Sequence, residues 1–222
     1  MSQPSPESQP RTLGQKVKHL WTQHLRPIVI VVIVITTFRS AVADWNDVPT
    51  GSMLPTIVEG DRIAVNKLAY DLKVPFTTWR VATWGEPKRG DIVVFYSPTD
   101  GTRLVKRVVA GPRDPVAMIQ TMLIVNGEPA DYQPAPHLYQ PSMYTETFIE
   151  SVAGDDHPIA IDPYGGGQPT VKSLTVPPGH YYVMGDNRNN SGDSRKFGPI
   201  SRDLVLGRAF GVAFSLDHES SF

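Results

Sequence analysis

The chain contains no cysteine. That absence excludes disulfides, thiolate nucleophiles, and the zinc and iron–sulfur sites that need thiolate ligands. Net charge is nearly absent too: 21 Lys+Arg against 22 Asp+Glu leave −1, and the pI is about 6.6. No overall field therefore draws the molecule to nucleic acid, and none is expected as a partner. Long apolar runs are scarce, with one uninterrupted by charge, over residues 28–38. What the chain has in abundance is proline and glycine, 21 and 18 residues. That bias favours many turns and short strands over a helical bundle. At 222 residues the chain can form one sizeable domain, or one domain with a substantial insertion.

Residues 1–10 are rich in Ser, Gln and Pro and carry one charge, Glu7, the composition of a disordered tail. Arg11, Lys16, Lys18 and Arg26 follow, and directly after them comes the apolar run. Basic residues ahead of such a run place the N-terminus in the cytoplasm and the rest of the chain on the outer side. Arg26 and Arg39 bracket 12 residues. A helix of that length covers about 18 Å, against about 30 Å for a bilayer core. Leu20, Trp21 and Leu25 on one side and Ala41-Val42-Ala43 on the other extend the segment enough if the arginines snorkel. The expectation is a transmembrane anchor over 20–43 behind a cytoplasmic tail over 1–19. A cleavable leader is the competing reading, because Ala41-Val42-Ala43 has the small-x-small form of an export cleavage site.

Past the anchor lies Val48-Pro49-Thr50-Gly51-Ser52-Met53-Leu54-Pro55-Thr56. Prolines fix φ and glycine removes the Cβ barrier, so this segment suits a rigid turn presenting the Ser52 hydroxyl. Strands are expected over residues 63–67, 92–96 and 102–110, with a turn at Lys88-Arg89-Gly90-Asp91 and a hairpin closed by Asp100-Gly101. Alternation along the third strand puts Lys106 on one face with Leu104 and Val108, and Arg107 on the other with Val105 and Val109. Most strand lysines reach solvent; Lys106 between two apolar neighbours is a candidate for burial.

Residues 114–178 are so dense in proline that they read as an irregular insertion, apart from a strand at Met122-Leu123-Ile124-Val125 turning at Asn126-Gly127. His137 and His157 lie inside it without metal-ligand spacing and read as surface residues. A strand over residues 180–184 then enters Gly185-Asp186-Asn187-Arg188-Asn189-Asn190-Ser191-Gly192-Asp193-Ser194-Arg195. This loop is polar enough for calcium, but Arg188 and Ser191 occupy positions where an EF-hand needs a ligand and a glycine. Its two arginines and two aspartates suggest a self-satisfied network that stiffens the loop.

A serine nucleophile needs a base. The Gly-x-Ser-x-Gly and Ser-x-x-Lys patterns are both absent at Ser52, and no histidine lies in a motif that recommends it. A lysine can serve if it is neutral. With an ordinary pKa near 10.4, only about one lysine in a thousand is neutral at pH 7.5. Burial lowers that pKa, and a neighbouring cation such as Arg107 acts in the same direction.

With these residues in place the chain resembles the type I signal peptidases. The resemblance rests on Pro49 to Thr56, Gly60-Asp61, Arg89-Gly90-Asp91-Ile92-Val93, Lys106-Arg107, and Gly185-Asp186-Asn187-Arg188 through Ser191, Asp193, Ser194 and Arg195, in that order. It implies a mostly β fold: an antiparallel β-sheet catalytic domain, of the kind shared with self-cleaving serine–lysine regulators, over 44–114 and 179–216. An inserted subdomain over 115–178 and one N-terminal transmembrane helix complete it. It also implies a bacterial inner-membrane endopeptidase with its catalytic domain on the outer face, removing signal peptides after small-x-small motifs through an acyl-enzyme. The partners are then signal peptides and the lipid bilayer, with no metal or other cofactor.

Carried over residue by residue, the resemblance makes Ser52 the nucleophile and Lys106 the general base, with the Thr50 hydroxyl and the Ser52 amide as oxyanion donors. Ser191 would orient the lysine, Asp193 and Arg195 would form a supporting ion pair, and Asp186 and Arg188 belong to the same supporting loop. Apolar Met53, Leu54, Ile57 and Val58 are expected to wall the substrate pocket. Threonine stands at position 50 where serine is commoner, keeping the hydroxyl but restricting its rotamers.

Overall fold

The protein was analysed as a computed structural model that describes residue 14 and residues 19–77, 79–138, 140, 142–165 and 170–214. The tail expected over residues 1–10, and most of the basic stretch after it, lie outside the described residues. The chain divides into two compact units, Met1–Ser40 and Ala41–Phe222.

The first unit is dominated by helix α1 (Trp21–Ala41). Its 21 residues cover about 31 Å at the α-helical rise, enough to cross a bilayer core of about 30 Å. The opening turns, Trp21–Leu25, are π-helical, and Arg26–Ala41 is regular α-helix. Apolar side chains point outward all round it, from Ile28 to Ile35, the pattern of a helix that meets lipid. Thr36 returns its hydroxyl to the Val32 carbonyl at 2.7 Å, so this polar group needs no water.

The second unit is built almost entirely of strands. In chain order these are β1 (Ala43–Asp47), β2 (Arg62–Asn66), β3 (Asp71–Lys73), β4 (Arg80–Thr83), β5 (Ile92–Tyr96), β6 (Arg103–Ala110), β7 (Pro115–Ile119) and β8 (Met122–Val125). They continue as β9 (Glu128–Pro129), β10 (Asp131–Pro134), β11 (Glu146–Val152), β12 (Asp155–Ile161), β13 (Val171–Thr175), β14 (His180–Met184), β15 (Ile200–Ser201) and β16 (Val205–Phe214). A one-turn helix, α2 (Ser194–Phe197), lies between β14 and β15. The main sheet runs β1-β2-β16-β5-β6-β14-β15, and every pairing in it is antiparallel.

Two apolar clusters flank this sheet because its strands alternate. Val93, Phe95, Val108, Tyr181 and Val183 pack on one face, with Leu104 against them. Val94, Ile63 and Val65 pack on the other with Val48, Met53 and Ile57, and Val105 joins them. The expected split of Leu104, Lys106 and Val108 from Val105 and Arg107 therefore holds.

The stretch over 115–178 is more regular than its proline content suggests. It forms a four-stranded sheet, β13-β7-β8-β9, and a three-stranded sheet, β10-β11-β12. Its prolines sit where a missing N–H does no harm: Pro115 opens β7, Pro129 ends β9, Pro134 ends β10, and Pro158 lies on the edge strand β12. Two tight turns make the meanders possible. Asn126 and Gly127 both adopt positive φ between β8 and β9, and Ala153 and Gly154 do so between β11 and β12. The expectation of a surface His157 also fails: it lies on β12, directly across from Glu150 on β11, and is buried.

Candidate active site

Ser52 is held in a single 3₁₀ turn, Gly51–Met53, that breaks an otherwise extended segment. Thr50 precedes it in extended conformation, and the Leu54 N–H closes the turn on the Gly51 carbonyl at 3.2 Å. Met53 and Ile57 face inward and anchor the turn in the core. The serine is thereby fixed by its apolar neighbours while its hydroxyl faces the other way.

Lys106 comes from the middle of β6, opposite Val93. Its Nζ donates to Ser52 Oγ at 2.7 Å, across 54 residues of sequence, and to the Val105 carbonyl at 2.8 Å. Only 3% of the residue is exposed. Burial is the main reason its pKa falls from the usual 10.5 to about 8; Asp193 and Asp186 oppose the fall and Arg195 assists it. The assisting cation is thus Arg195. Arg107, expected to fill that role, turns to the opposite face and spends its charge on Asp186.

The polar loop expected to satisfy itself does so only in part. Asp193 and Arg195 pair within it, NH2 to Oδ2 at 2.7 Å and Nε to Oδ1 at 2.8 Å. Burial alone would raise the Asp193 pKa, but Arg195 outweighs it and holds the carboxyl below the usual range. The other two charges reach out of the loop. Asp186 grips Arg107 on β6, with Arg107 Nε to Oδ1 at 2.9 Å. Arg188 is locked on Glu150 of β11, NH1 to Oε1 at 2.7 Å, and His157 Nε2 stands 3.0 Å from the same carboxylate. The loop is stiffened by ties to both the main sheet and the three-stranded sheet.

A cleft of about 500 Å³ opens over the Ser52–Lys106 pair, lined among others by Thr50, Leu104, Ser191 and Phe197. The Thr50 hydroxyl lies 3.4 Å from Ser52 Oγ. Ser191 shares the cleft, but no hydrogen bond joins it to the lysine. The Val105 carbonyl occupies the second position on the amine instead. None of Met53, Leu54, Ile57 and Val58 lines this cleft. The first three are buried and Val58 is exposed elsewhere, because the same apolarity that suggested a pocket wall serves the core under the turn. Leu104 and Phe197 supply the apolar surface of the cleft.

Sequence reasoning gave no role to Asn187, whose backbone N–H donates to the Ser52 carbonyl at 3.1 Å and whose side chain donates to the Gly51 carbonyl at 3.0 Å. It also missed Gly185, where an added Cβ would stand 2.5 Å from the Ser52 carbonyl oxygen and 2.3 Å from Ser191 Oγ. Among the described residues no three His, Asp or Glu side chains come together as a cation cage.

A serine hydroxyl on a buried amine of lowered pKa, in an antiparallel β body that follows a membrane-length helix, is the outline of a membrane-anchored serine hydrolase. Comparison with known proteins gives the family. The profile of signal peptidase, peptidase S26, matches residues 21–214. A signal peptidase I of Pseudomonas aeruginosa is 33% identical over 201 residues, covering 85% of this chain and 70% of its own. The signal peptidase I T of Bacillus subtilis is 32% identical over 202 residues, covering 90% and 89%. Among solved structures, a signal peptidase I of Enterococcus faecalis is 29% identical with a TM-score of 0.38, over 58% of this chain and all of that one. The chain belongs to the signal peptidase I family, peptidase S26: it is a serine protease that removes signal peptides from preproteins, anchored to a membrane by its N-terminal helix.

Proposed function

We propose that Ser52 and Lys106 are the nucleophile and general base of this protease. The observation that carries the reading is the 2.7 Å hydrogen bond between a buried lysine amine and the Ser52 hydroxyl. At a pKa of about 8, about a quarter of the amine is neutral at pH 7.5, roughly 250 times the fraction of an unperturbed lysine.

Neutral Lys106 takes the Ser52 proton as Oγ attacks the scissile carbonyl, and the resulting ammonium protonates the departing amine. Water then hydrolyses the acyl-enzyme by the same route. The Thr50 hydroxyl and the Ser52 N–H are the donors to the developing oxyanion, each worth about 3 kcal/mol by analogy with other such holes. Asp193, paired with Arg195, keeps a negative charge near the amine, and Ser191 borders it. The substrate is an extended signal-peptide end with small side chains at the first and third positions before the cut, laid in the cleft as an added strand.

In this reading residues 1–19 are cytoplasmic and 20–43 span the bacterial inner membrane once. Residues 44–114 and 179–216 form the catalytic domain on the outer face, and 115–178 an inserted subdomain. The supporting observation is the basic flank before the helix, Arg11, Lys16, Lys18 and Arg26. Nothing in the chemistry needs a metal or nucleic acid.

The test uses the full chain in detergent with a preprotein carrying Ala-x-Ala before its cleavage site. Ser52→Ala and Lys106→Ala are each expected to abolish cleavage. Full activity in either variant removes the dyad.

A further inference from the structure

We infer that Asn187 is a positioning residue that sets the direction of the Ser52 N–H by holding the peptide plane of Gly51–Ser52 from its carbonyl side. A trans peptide carries its C=O and N–H on opposite edges, so whatever fixes one fixes the other. The Gly51 carbonyl is held at two points, by the Leu54 N–H at 3.2 Å and by the Asn187 side-chain amide at 3.0 Å. Only the amino end of that amide can face a carbonyl oxygen so closely, since the carbonyl end would set two acceptors together. The next peptide is held as well, by the Asn187 N–H on the Ser52 carbonyl at 3.1 Å. One residue thus grips both carbonyls beside the nucleophile and leaves the Ser52 N–H on the free edge.

The grip is firm because Asn187 is itself braced. It lies in the one parallel bridge found outside the named strands among the described residues, opposite Ala160 of β12. Ala160 N–H donates to the Asp186 carbonyl at 2.9 Å, and Arg188 N–H donates to the Ala160 carbonyl at 2.9 Å. On either side, Asp186 is locked by Arg107 and Arg188 by Glu150. Without the clamp, rotation of the Gly51–Ser52 peptide would turn its carbonyl toward the reacting oxygen and remove a donor where negative charge develops.

This role rests on Ser52 being the nucleophile, and the experiment separates the two claims. Asn187→Asp is nearly isosteric but places a carboxylate oxygen against the Gly51 carbonyl, and Asn187→Ala removes the amide while Leu54 still holds. The two variants keep the test available should one fail to fold, with a thermal melt on each. The expected result is kcat lowered at least 100-fold in Asn187→Asp and at least 10-fold in Asn187→Ala, with KM within threefold.

The decisive readout is inhibition by a peptide aldehyde. Ser52 Oγ bonds to its carbonyl carbon, the carbonyl electron pair moves to oxygen, and the serine proton goes to Lys106, so the adduct oxygen reports on the hole. Its inhibition constant is expected to rise in parallel with the loss in kcat. A residue that merely supports the fold would lower the active fraction and leave that constant unchanged. Wild-type kcat in Asn187→Asp, or a fall in kcat with unaltered aldehyde affinity, overturns the inference. If Ser52→Ala, measured alongside, cuts at the wild-type rate, the dyad itself is lost; if Ser52→Ala is inert while Asn187→Asp is fully active, only the role of Asn187 is lost.

Discussion

Arg107 holds Asp186 with two prongs, Nε to Oδ1 at 2.9 Å and NH2 to Oδ2 at 2.7 Å, one residue along β6 from Lys106. Asp186 is also one of the two carboxylates that favour the charged form of the Lys106 amine. Asp186→Asn therefore has two separable effects. It leaves a buried guanidinium without its carboxylate, which destabilises by about 3 to 5 kcal/mol. It also lowers the lysine pKa, so the acid limb of kcat/KM moves to lower pH. Chemical denaturation and a pH–rate profile on the detergent-solubilised chain measure the two, and a limb that moves upward contradicts the electrostatic account.

The unmodified enzyme has a pH dependence of its own. Lys106 works as a base in its neutral form, so activity falls as pH drops through its pKa of about 8. Below that value kcat/KM is expected to lose about tenfold per pH unit, and to level off above it. Lys106→Arg is expected to be inactive across the range, since a guanidinium stays protonated in proteins. A profile flat between pH 6 and 9 would count against lysine as the base.

Gly185→Ala tests how closely the loop approaches the nucleophile. The new Cβ would stand 2.5 Å from the Ser52 carbonyl oxygen, a backbone atom that moves only with the turn. The expected outcome is a loss of kcat of at least 100-fold with a lowered melting temperature. Wild-type turnover in this variant would mean the two segments lie farther apart.

Glu150 links stability to pH. Burial would raise its pKa, but Arg188 and His157 outweigh burial and hold it well below the usual carboxylate range. Its folded pKa is lower than its unfolded one, so its contribution is present above about pH 4.3 and is lost as pH falls below that. Urea midpoints between pH 7 and 3 are expected to fall more steeply for the wild type than for Glu150→Gln. The variant should already be weakened at pH 7, because Arg188 is then left buried without its carboxylate. Parallel curves would show that another group controls acid unfolding.

Much of this was legible in the sequence where a local rule applied. Alternation on β6 separated Lys106 from Arg107, and the two prolines around Ser52 marked a fixed turn. The Asn126-Gly127 pair announced its hairpin. The failures share one cause, which is that the deciding partner lies far along the chain. Whether Met53 and Ile57 line a cleft or fill a core depends on Val94 and Ile63 arriving beneath them. His157 read as a surface residue because its burial depends on Glu150 across the β11–β12 hairpin. Ala153-Gly154 between two β-rich runs was the one signal for that hairpin, and the density of proline around it obscured the signal. Asn187 looked like any loop asparagine, since its partners are carbonyls that every residue possesses.

Ala43 opens β1 and pairs with Asn66 of β2, and the Val42 carbonyl accepts the Lys67 N–H at 3.0 Å. Ala41-Val42-Ala43, a tripeptide of the kind this family cuts, is therefore divided between the last turn of α1 and the start of β1. A protease reads an extended strand by pairing with it, and here Ala41 is helical and Val42 is in a turn, leaving only Ala43 extended. Self-removal of the anchor would first require the last turn of α1 to unwind so that all three residues become extended. The helical end of α1 thus makes the enzyme a poor substrate for its own kind, since a second copy meeting this segment would find only Ala43 in the extended form it reads.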